Sequence, residues 1–586
     1  MRKKLLLLLF LFAVPMAFSE HGGMPLLAIR QTVNGLEGST AELFLEIKPG
    51  SGRVFVDTFP LSKIDTQFSM RSAKEIACDF LDHDCSRQDF IYTIRADAPI
   101  IGGPSAGAAA AVLTAAILSG SGVKHEISIT GTINSGGLIG PVGGLKEKIE
   151  AGSQSGLKAI LIPEGESARA NISNSTLSLE QYASSLGIEL IEVSGLNSAL
   201  EVFTGKTFKS YNQEIEISDS YKQTMKGLAN RLCGRTSELK TIVMPEKVDN
   251  DTSILEEAVN LSKKAENAFD DGEYYSAASF CFGSNVKFNQ LFLRTKNFSE
   301  EKYSVLLEEM SKSINEFKNQ IEKKEIKTIT DLESYMIVQE RLIEAISYTN
   351  ISQNQSLDYA YAYANERLRS AYSWAEFFKH TGKELELDNE NLKESCRQRI
   401  AEAEERLQYA SIYIPFRLTS PKEELDKAYD DFNNGEYALC LFKASKSKAE
   451  SNIILNTLGM DNDYIPELID NKLKAARRII FEAEQKNTFP ILGYSYFEYA
   501  NTLKETDRFS ALLYAEYALE LSNLDIYFKE KKPLNLPRIE ISKLAILLSG
   551  IAIGFVAAMI IMQLKIKFGK SDNKPSKART LLGKKR

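Results

Sequence analysis

Histidine and tryptophan are scarce in this chain, which has four of the first and one of the second among 586 residues. His21, His83, His125 and His380 lack partners at metal-ligand spacing, apart from a loose group of Cys78, His83 and Cys85, so no metal cofactor is expected. No Gly-x-x-x-x-Gly-Lys-Ser/Thr segment occurs, and Gly205-Lys206-Thr207 has Leu200 where the first glycine should stand, which excludes a P-loop. Positive charge is not in excess either. The net charge of -7 leaves no footprint for nucleic acid. What is present is ordinary for a globular protein, with 44% apolar and 25% charged residues, and the length exceeds what one hydrophobic core fills.

The two ends set an expected compartment. Arg2, Lys3 and Lys4 precede an apolar run from Leu5 to Phe18, and Ala17-Phe18-Ser19 offers a small-x-small cleavage site. Residues 1–19 therefore read as a secretory signal peptide, with an uncleaved anchor as the alternative. Leu544 to Leu564 is uncharged and long enough to cross a bilayer, and the basic tail 565–586 follows it. By the positive-inside rule, that tail is expected in the cytoplasm and the preceding chain outside the cell membrane, held by a single span. Six cysteines suit an oxidising compartment; Cys78 with Cys85, Cys233 with Cys281 and Cys396 with Cys440 are plausible bridges, and buried thiols are the alternative. Sequons at Asn171, Asn174, Asn250, Asn260, Asn297, Asn350 and Asn354 fit an exported surface.

From residue 25 to 209, β-rich runs alternate with helical ones. Ala41 to Ile47, Arg53 to Asp57, Phe90 to Arg95, Glu126 to Ile133 and Ala159 to Pro163 read as strands; Ser72 to Leu81, Ser105 to Leu118, Leu145 to Gly152 and Leu179 to Leu186 read as helices. After about Ile217 glycine and proline nearly vanish, and residues 217–530 read as all helical. This region carries a faint repeat. Ala268-Phe269-Asp270-Asp271-Gly272-Glu273-Tyr274 resembles Tyr429 to Tyr437, which also ends in Gly435-Glu436-Tyr437, and a third echo lies at Asp507 to Ala518. Stacked helical hairpins are the expected architecture. The fold class is thus an α/β domain, then an all-α helical-hairpin domain, then one transmembrane helix.

Two segments can carry chemistry. Gly102-Gly103-Pro104-Ser105-Ala106-Gly107 opens an Ala-rich helix, and Thr130-Gly131 is followed by Gly143-Gly144-Leu145-Lys146-Glu147-Lys148-Ile149. A serine hydroxyl becomes a competent nucleophile when a base takes its proton, and a lysine amine is such a base when burial keeps it neutral. Lys146, between Leu145 and Ile149, is expected as that base; Lys148 is expected on a solvated face of the helix. Thr130 is placed to orient the amine, and the turn at Gly103 and Ala106 supports Ser105 with backbone N–H groups and the positive end of the helix.

These segments resemble the proteolytic domain of the Lon peptidases, over about Leu26 to Thr207. The resemblance implies Ser105 as nucleophile, Lys146 as the dyad lysine and Thr130 as the threonine of the Thr-Gly strand. Leu138-Ile139-Gly140-Pro141-Val142 and Ala159-Ile160-Leu161-Ile162-Pro163 extend it. Gly102 departs from the pattern, which usually has an acidic residue three positions before the serine. The resemblance also implies a homo-oligomeric ring. Without a P-loop, the expected activity is ATP-independent cleavage of unfolded or flexible polypeptides by a serine endopeptidase, with no cofactor and no nucleic-acid partner. The alternative is a non-catalytic, membrane-anchored scaffold on a decayed fold of the same kind.

Overall fold

The computed structural model describes residues 20–32, 35–101, 103–169, 178–208, 219–244, 251–350, 356–379, 382–414, 418–457, 465–531 and 552–563. The expected signal peptide 1–19, Gly102, Asn171, Asn174, Asn250, Asn354, His380, residues 544–551 and Leu564 of the apolar run and the basic tail lie outside them.

A four-stranded sheet in the order β1-β2-β4-β3 forms from β1 (Glu20–Thr32), β2 (Gly35–Pro49), β3 (Val54–Ser62) and β4 (Gln88–Ile101). β2 pairs antiparallel with both β1 and β4, whereas β3 runs parallel to β4 because α1 (Ile64–Phe80) makes the crossover between them. Strict alternation sends Leu43, Leu45 and Ile47 inward and leaves Glu42 and Phe44 outside. Against this inner face lies α2 (Gly107–Leu118), whose Ala108 to Leu113 are fully buried. A helix apolar all round belongs in a core, and its alanines let neighbouring backbones approach closely.

The chain then adds β5 (Ile127–Ile129), the short hairpin of β6 (Thr132–Asn134) and β7 (Leu138–Gly140), α3 (Leu145–Gln154), β8 (Ala159–Pro163), α4 (Glu166–Arg169), α5 (Leu179–Ser185), β9 (Glu189–Val193) and α6 (Leu196–Thr204). β5, β8 and β9 make a parallel sheet in the order β5-β8-β9. The expected strand Glu126 to Ile133 is two strands, because the chain breaks at Thr130-Gly131 to turn into the hairpin.

The helical region comprises α7 (Asp219–Val243), α8 (Thr252–Asp270), α9 (Tyr274–Thr295), α10 (Glu300–Ile321), α11 (Ile329–Thr349), α12 (Leu357–Trp374), α13 (Asn389–Tyr413), α14 (Thr419–Asn433), α15 (Tyr437–Thr457), α16 (Ile465–Gln485), α17 (Ile491–Leu503) and α18 (Arg508–Leu521). The repeat read from sequence is one turn built twice. Gly272 and Gly435 both adopt φ +82, each ends a helix in the left-handed conformation, and the glutamate after each donates its N–H back at 2.8 Å, to Ala268 and Asp431. Across these turns Phe269 meets Tyr274 and Phe432 meets Tyr437 edge-on, at 5.2 and 5.6 Å. The third echo, at Asp507, caps α18 through Ser510.

All three disulfides close as paired above, so Cys78 and Cys85 are a bridge and not metal ligands. The α/β and helical regions have separate hydrophobic cores but belong to one compact unit that ends at Glu530. In the second unit, residues 552–563 are helical with exposed apolar side chains such as Phe555 and Ile561. Among the described residues no helix is long and apolar enough to cross a membrane; of the expected span 544–564, only residues 552–563 lie within them.

Candidate active site

Ser105 sits, half-buried, in a 3-10 turn over Pro104–Ala106 that opens α2. Gly103 precedes it at φ +105, a conformation that L side chains rarely adopt, and Pro104 fixes the first position of the turn. The turn is stitched to the neighbouring strand by two backbone bonds: Gly131 N–H donates to the Ser105 carbonyl at 3.1 Å, and Ala108 N–H donates to the Gly131 carbonyl at 3.0 Å. Glycine is required at 131, because a Cβ there would lie 2.4 Å from Ile139 Cγ2. Serine and threonine are thereby brought to adjacent backbone positions.

Thr130 is buried, and its N–H donates to Leu161 of β8 at 3.0 Å. Its Oγ1 accepts a 3.0 Å hydrogen bond from the Nζ of Lys148. Lys148 is 2% exposed. Desolvation lowers its pKa to about 8, against the opposing pull of the Glu166 and Glu147 carboxylates. An amine in that range is neutral often enough near neutral pH to accept a proton.

The lysine expected from sequence to be buried is exposed instead. Lys146 points to solvent, 44% exposed, with its Nζ 3.8 Å from Glu150 and 5.9 Å from the Tyr182 ring centre. The cause is helical phase. α3 starts at Leu145 after the left-handed Gly144 and buries Leu145, Lys148, Ile149 and Gly152, the i, i+3, i+4, i+7 stripe of an inward face. Lys146 is one step off that stripe. The same periodicity was present in the sequence and identifies Lys148 as the buried lysine.

Ala106 packs half-buried against the α/β core. Of the helix-opening N–H groups expected to meet negative charge, those of Gly107 and Ala108 already donate, to Pro104 and Gly131. Glu166, which the sequence did not single out, is buried and lines a small open cleft with Asn134, Pro141, Asn456, Asn471 and Lys472, so one wall comes from the helical region.

The proteolytic domain model of Lon protease, described as the Lon protease (S16) C-terminal proteolytic domain, matches residues 82–183, which hold Ser105, Thr130 and Lys148. This region is similar to the proteolytic domain of the Lon peptidases. The Lon protease of Paraburkholderia phytofirmans is 34% identical over 128 residues, 21% of this chain and 16% of that protein. That of Desulforamulus reducens is 46% identical over 61 residues, 10% of this chain and 8% of its own length. That of Campylobacter concisus is 49% identical over 61 residues, again 10% and 8%. The chain thus spans less than a fifth of these Lon proteases, and the family-model match ends at residue 183, before the helical region.

Proposed function

We propose that the chain is an ATP-independent serine endopeptidase using a dyad of Ser105 and Lys148 on unfolded or flexible polypeptides. The observation that carries this reading is the buried, hydrogen-bonded Lys148 amine beside a threonine whose next residue is clasped to Ser105. Neutral Lys148 takes the Ser105 proton as the hydroxyl attacks a peptide carbonyl, and it returns the proton to the leaving amine. The oxyanion is assigned to the N–H groups of Ser105 and Ala106, since the next two are engaged. Water then releases the acyl group, with Lys148 again as base. Thr130 holds the amine in one orientation throughout.

Without a P-loop to drive unfolding, substrates must arrive already extended. Export, a membrane anchor near residues 544–564, a cytoplasmic tail and a homo-oligomeric ring complete the proposal; disulfides and the apolar helix at 552–563 support its extracytoplasmic part. The test is cleavage of casein by the full chain without nucleotide, beside Ser105→Ala, Lys148→Met and Lys146→Met. Loss in the first two with retention in the third supports the dyad. Folded wild type that leaves casein intact would favour the scaffold alternative.

A further inference from the structure

Ile133 is gripped from two sides. Its backbone nitrogen and Cγ2 press on Gly107 so closely that a Cβ there would lie 3.1 and 3.0 Å from them. Its carbonyl accepts a 3.3 Å hydrogen bond from Arg406 Nη2 on α13 of the helical region, and that guanidinium also lies 5.2 Å from the Phe68 ring centre on α1. At the tip of the same hairpin, Arg478 of α16 donates to the Gly136 carbonyl. Gly136 takes φ +72, and a side chain there would strike Ile479, with Cβ only 2.6 Å from its Cδ1. Leu138, at the start of β7, packs against the helical core.

A two-stranded hairpin of three residues a side does not hold its own position in water. Its supports therefore decide where it sits. One is the α/β domain itself, through Ile139 N–H to the Ser194 carbonyl at 3.1 Å. Apolar packing of Ile133, Leu138 and Ile139 adds to it, and the two arginines add charge-assisted bonds, which are stronger than neutral ones. The hairpin continues directly from Thr130 and Gly131, which hold Lys148 and Ser105.

We propose that the helical region is a built-in clamp on the catalytic hairpin, with Arg406 and Arg478 as positioning residues that keep Thr130 and Lys148 in register with Ser105. This rests on the dyad reading above. If the arginines only satisfied two interfacial carbonyls, replacing them would lower stability and leave the chemistry of each folded molecule alone.

The experiment compares the full chain with Arg406→Ala, Arg478→Ala and Arg478→Lys. Intact active sites are counted by labelling Ser105 with a fluorophosphonate, and amide hydrogen exchange is followed over residues 130–138. In the alanine variants kcat per labelled site is expected to fall about tenfold or more, because small displacements of catalytic groups are costly, while KM stays within about twofold. The midpoint of the pH–rate profile is expected to move by about half a unit as the Lys148 environment loosens, hairpin exchange to quicken, and Arg478→Lys to recover part of the loss. Unchanged kcat per labelled site with an unchanged midpoint would overturn the clamp. Should Arg406→Ala fail to fold, Arg478→Ala, at a partly exposed side chain, decides alone. A folded wild type that neither labels nor cleaves would sink the dyad reading; hairpin exchange then decides the clamp by itself, with faster exchange in the variants supporting it and unchanged exchange overturning it.

Discussion

The Nζ of Lys148 donates to Thr130 Oγ1 at 3.0 Å, while the residue after that threonine donates its N–H to the Ser105 carbonyl at 3.1 Å. The general base and the nucleophile are thus referenced to one dipeptide. Because burial lowers the Lys148 pKa to about 8 and the working form is the neutral amine, kcat/KM should rise with pH and reach half its maximum near pH 8. Lys148→Met should abolish the activity and Lys146→Met should leave it within about twofold, since the Lys146 side chain is solvated. A full loss in Lys146→Met, measured by peptide cleavage, would return the base to that residue.

Burying this amine has a cost in stability. A lysine whose folded pKa is depressed opposes folding at every pH below about 8, and the opposition fades as pH rises from about 8 to the unfolded value of 10.5. Two to three units correspond to about 3 kcal/mol, of which the bond to Thr130 offsets about 1 kcal/mol. Lys148→Met should therefore be inactive yet more stable than wild type by about 2 kcal/mol at pH 7, with the difference shrinking towards pH 10. Denaturant midpoints at the two pH values check this. A destabilised variant would show that the amine is held by more than its threonine.

Gly131→Ala tests the clasp without touching a polar side chain. The added methyl would meet Ile139 Cγ2 at 2.4 Å and Ala108 Cβ at 3.4 Å, so β7 must move away from α2. Overpacking of this kind costs about 1–3 kcal/mol, and the displacement should cost more than tenfold in kcat. Equal activity per folded molecule would mean that the Thr-Gly strand tolerates a shift without disturbing Ser105.

The turn around Ser105, the strand end at Thr130 and the α/β character were legible because each rests on local signals, a Gly-Pro turn before an Ala-rich helix and a β-rich run ending in Thr-Gly. Which lysine is buried was not legible from its immediate sequence neighbours. In a helix the surroundings come from positions three and four away, and by that measure Lys148 shares the face of Leu145, Ile149 and Gly152. β1 escaped notice since Gly22, Gly23 and Pro25 are poor strand formers, and it is held by pairing with β2 along its whole length. The arginines on the hairpin were invisible because Arg406 and Ile133 are 273 residues apart. The hairpin turns of the helical region were readable, since Gly-Glu-Tyr after an acidic run encodes a helix stop and a restart in three residues.

Two bridges staple helices of the all-α region. Cys233–Cys281 and Cys396–Cys440 span 48 and 44 residues, and loops of that length restrict the unfolded chain by about 4 kcal/mol each. Replacing either pair with alanine should lower the melting temperature of the purified chain by several degrees, and Cys78→Ala with Cys85→Ala should do less, because that bridge closes only 7 residues. Equal losses for all three would point to packing around the sulfurs in place of chain restriction.

Glu498 is a buried carboxyl whose pKa desolvation raises to about 7, although the Ser276 N–H at the start of α9 donates to it at 3.1 Å. A carboxyl raised above its unfolded value opposes folding once it ionises, so the full cost is present above pH 7 and disappears as pH falls from about 7 through 4.5. Glu498→Gln keeps the size and an acceptor for Ser276 while removing the charge. It should stabilise the chain by up to about 3 kcal/mol at pH 8, and the gain should vanish near pH 4. Melting curves across that range decide the matter: a gain that did not change with pH would mean that the Glu498 carboxyl ionises alike in the folded and unfolded chain and that the gain comes from packing, and a loss at pH 8 would mean that its negative charge at the helix start outweighs its burial.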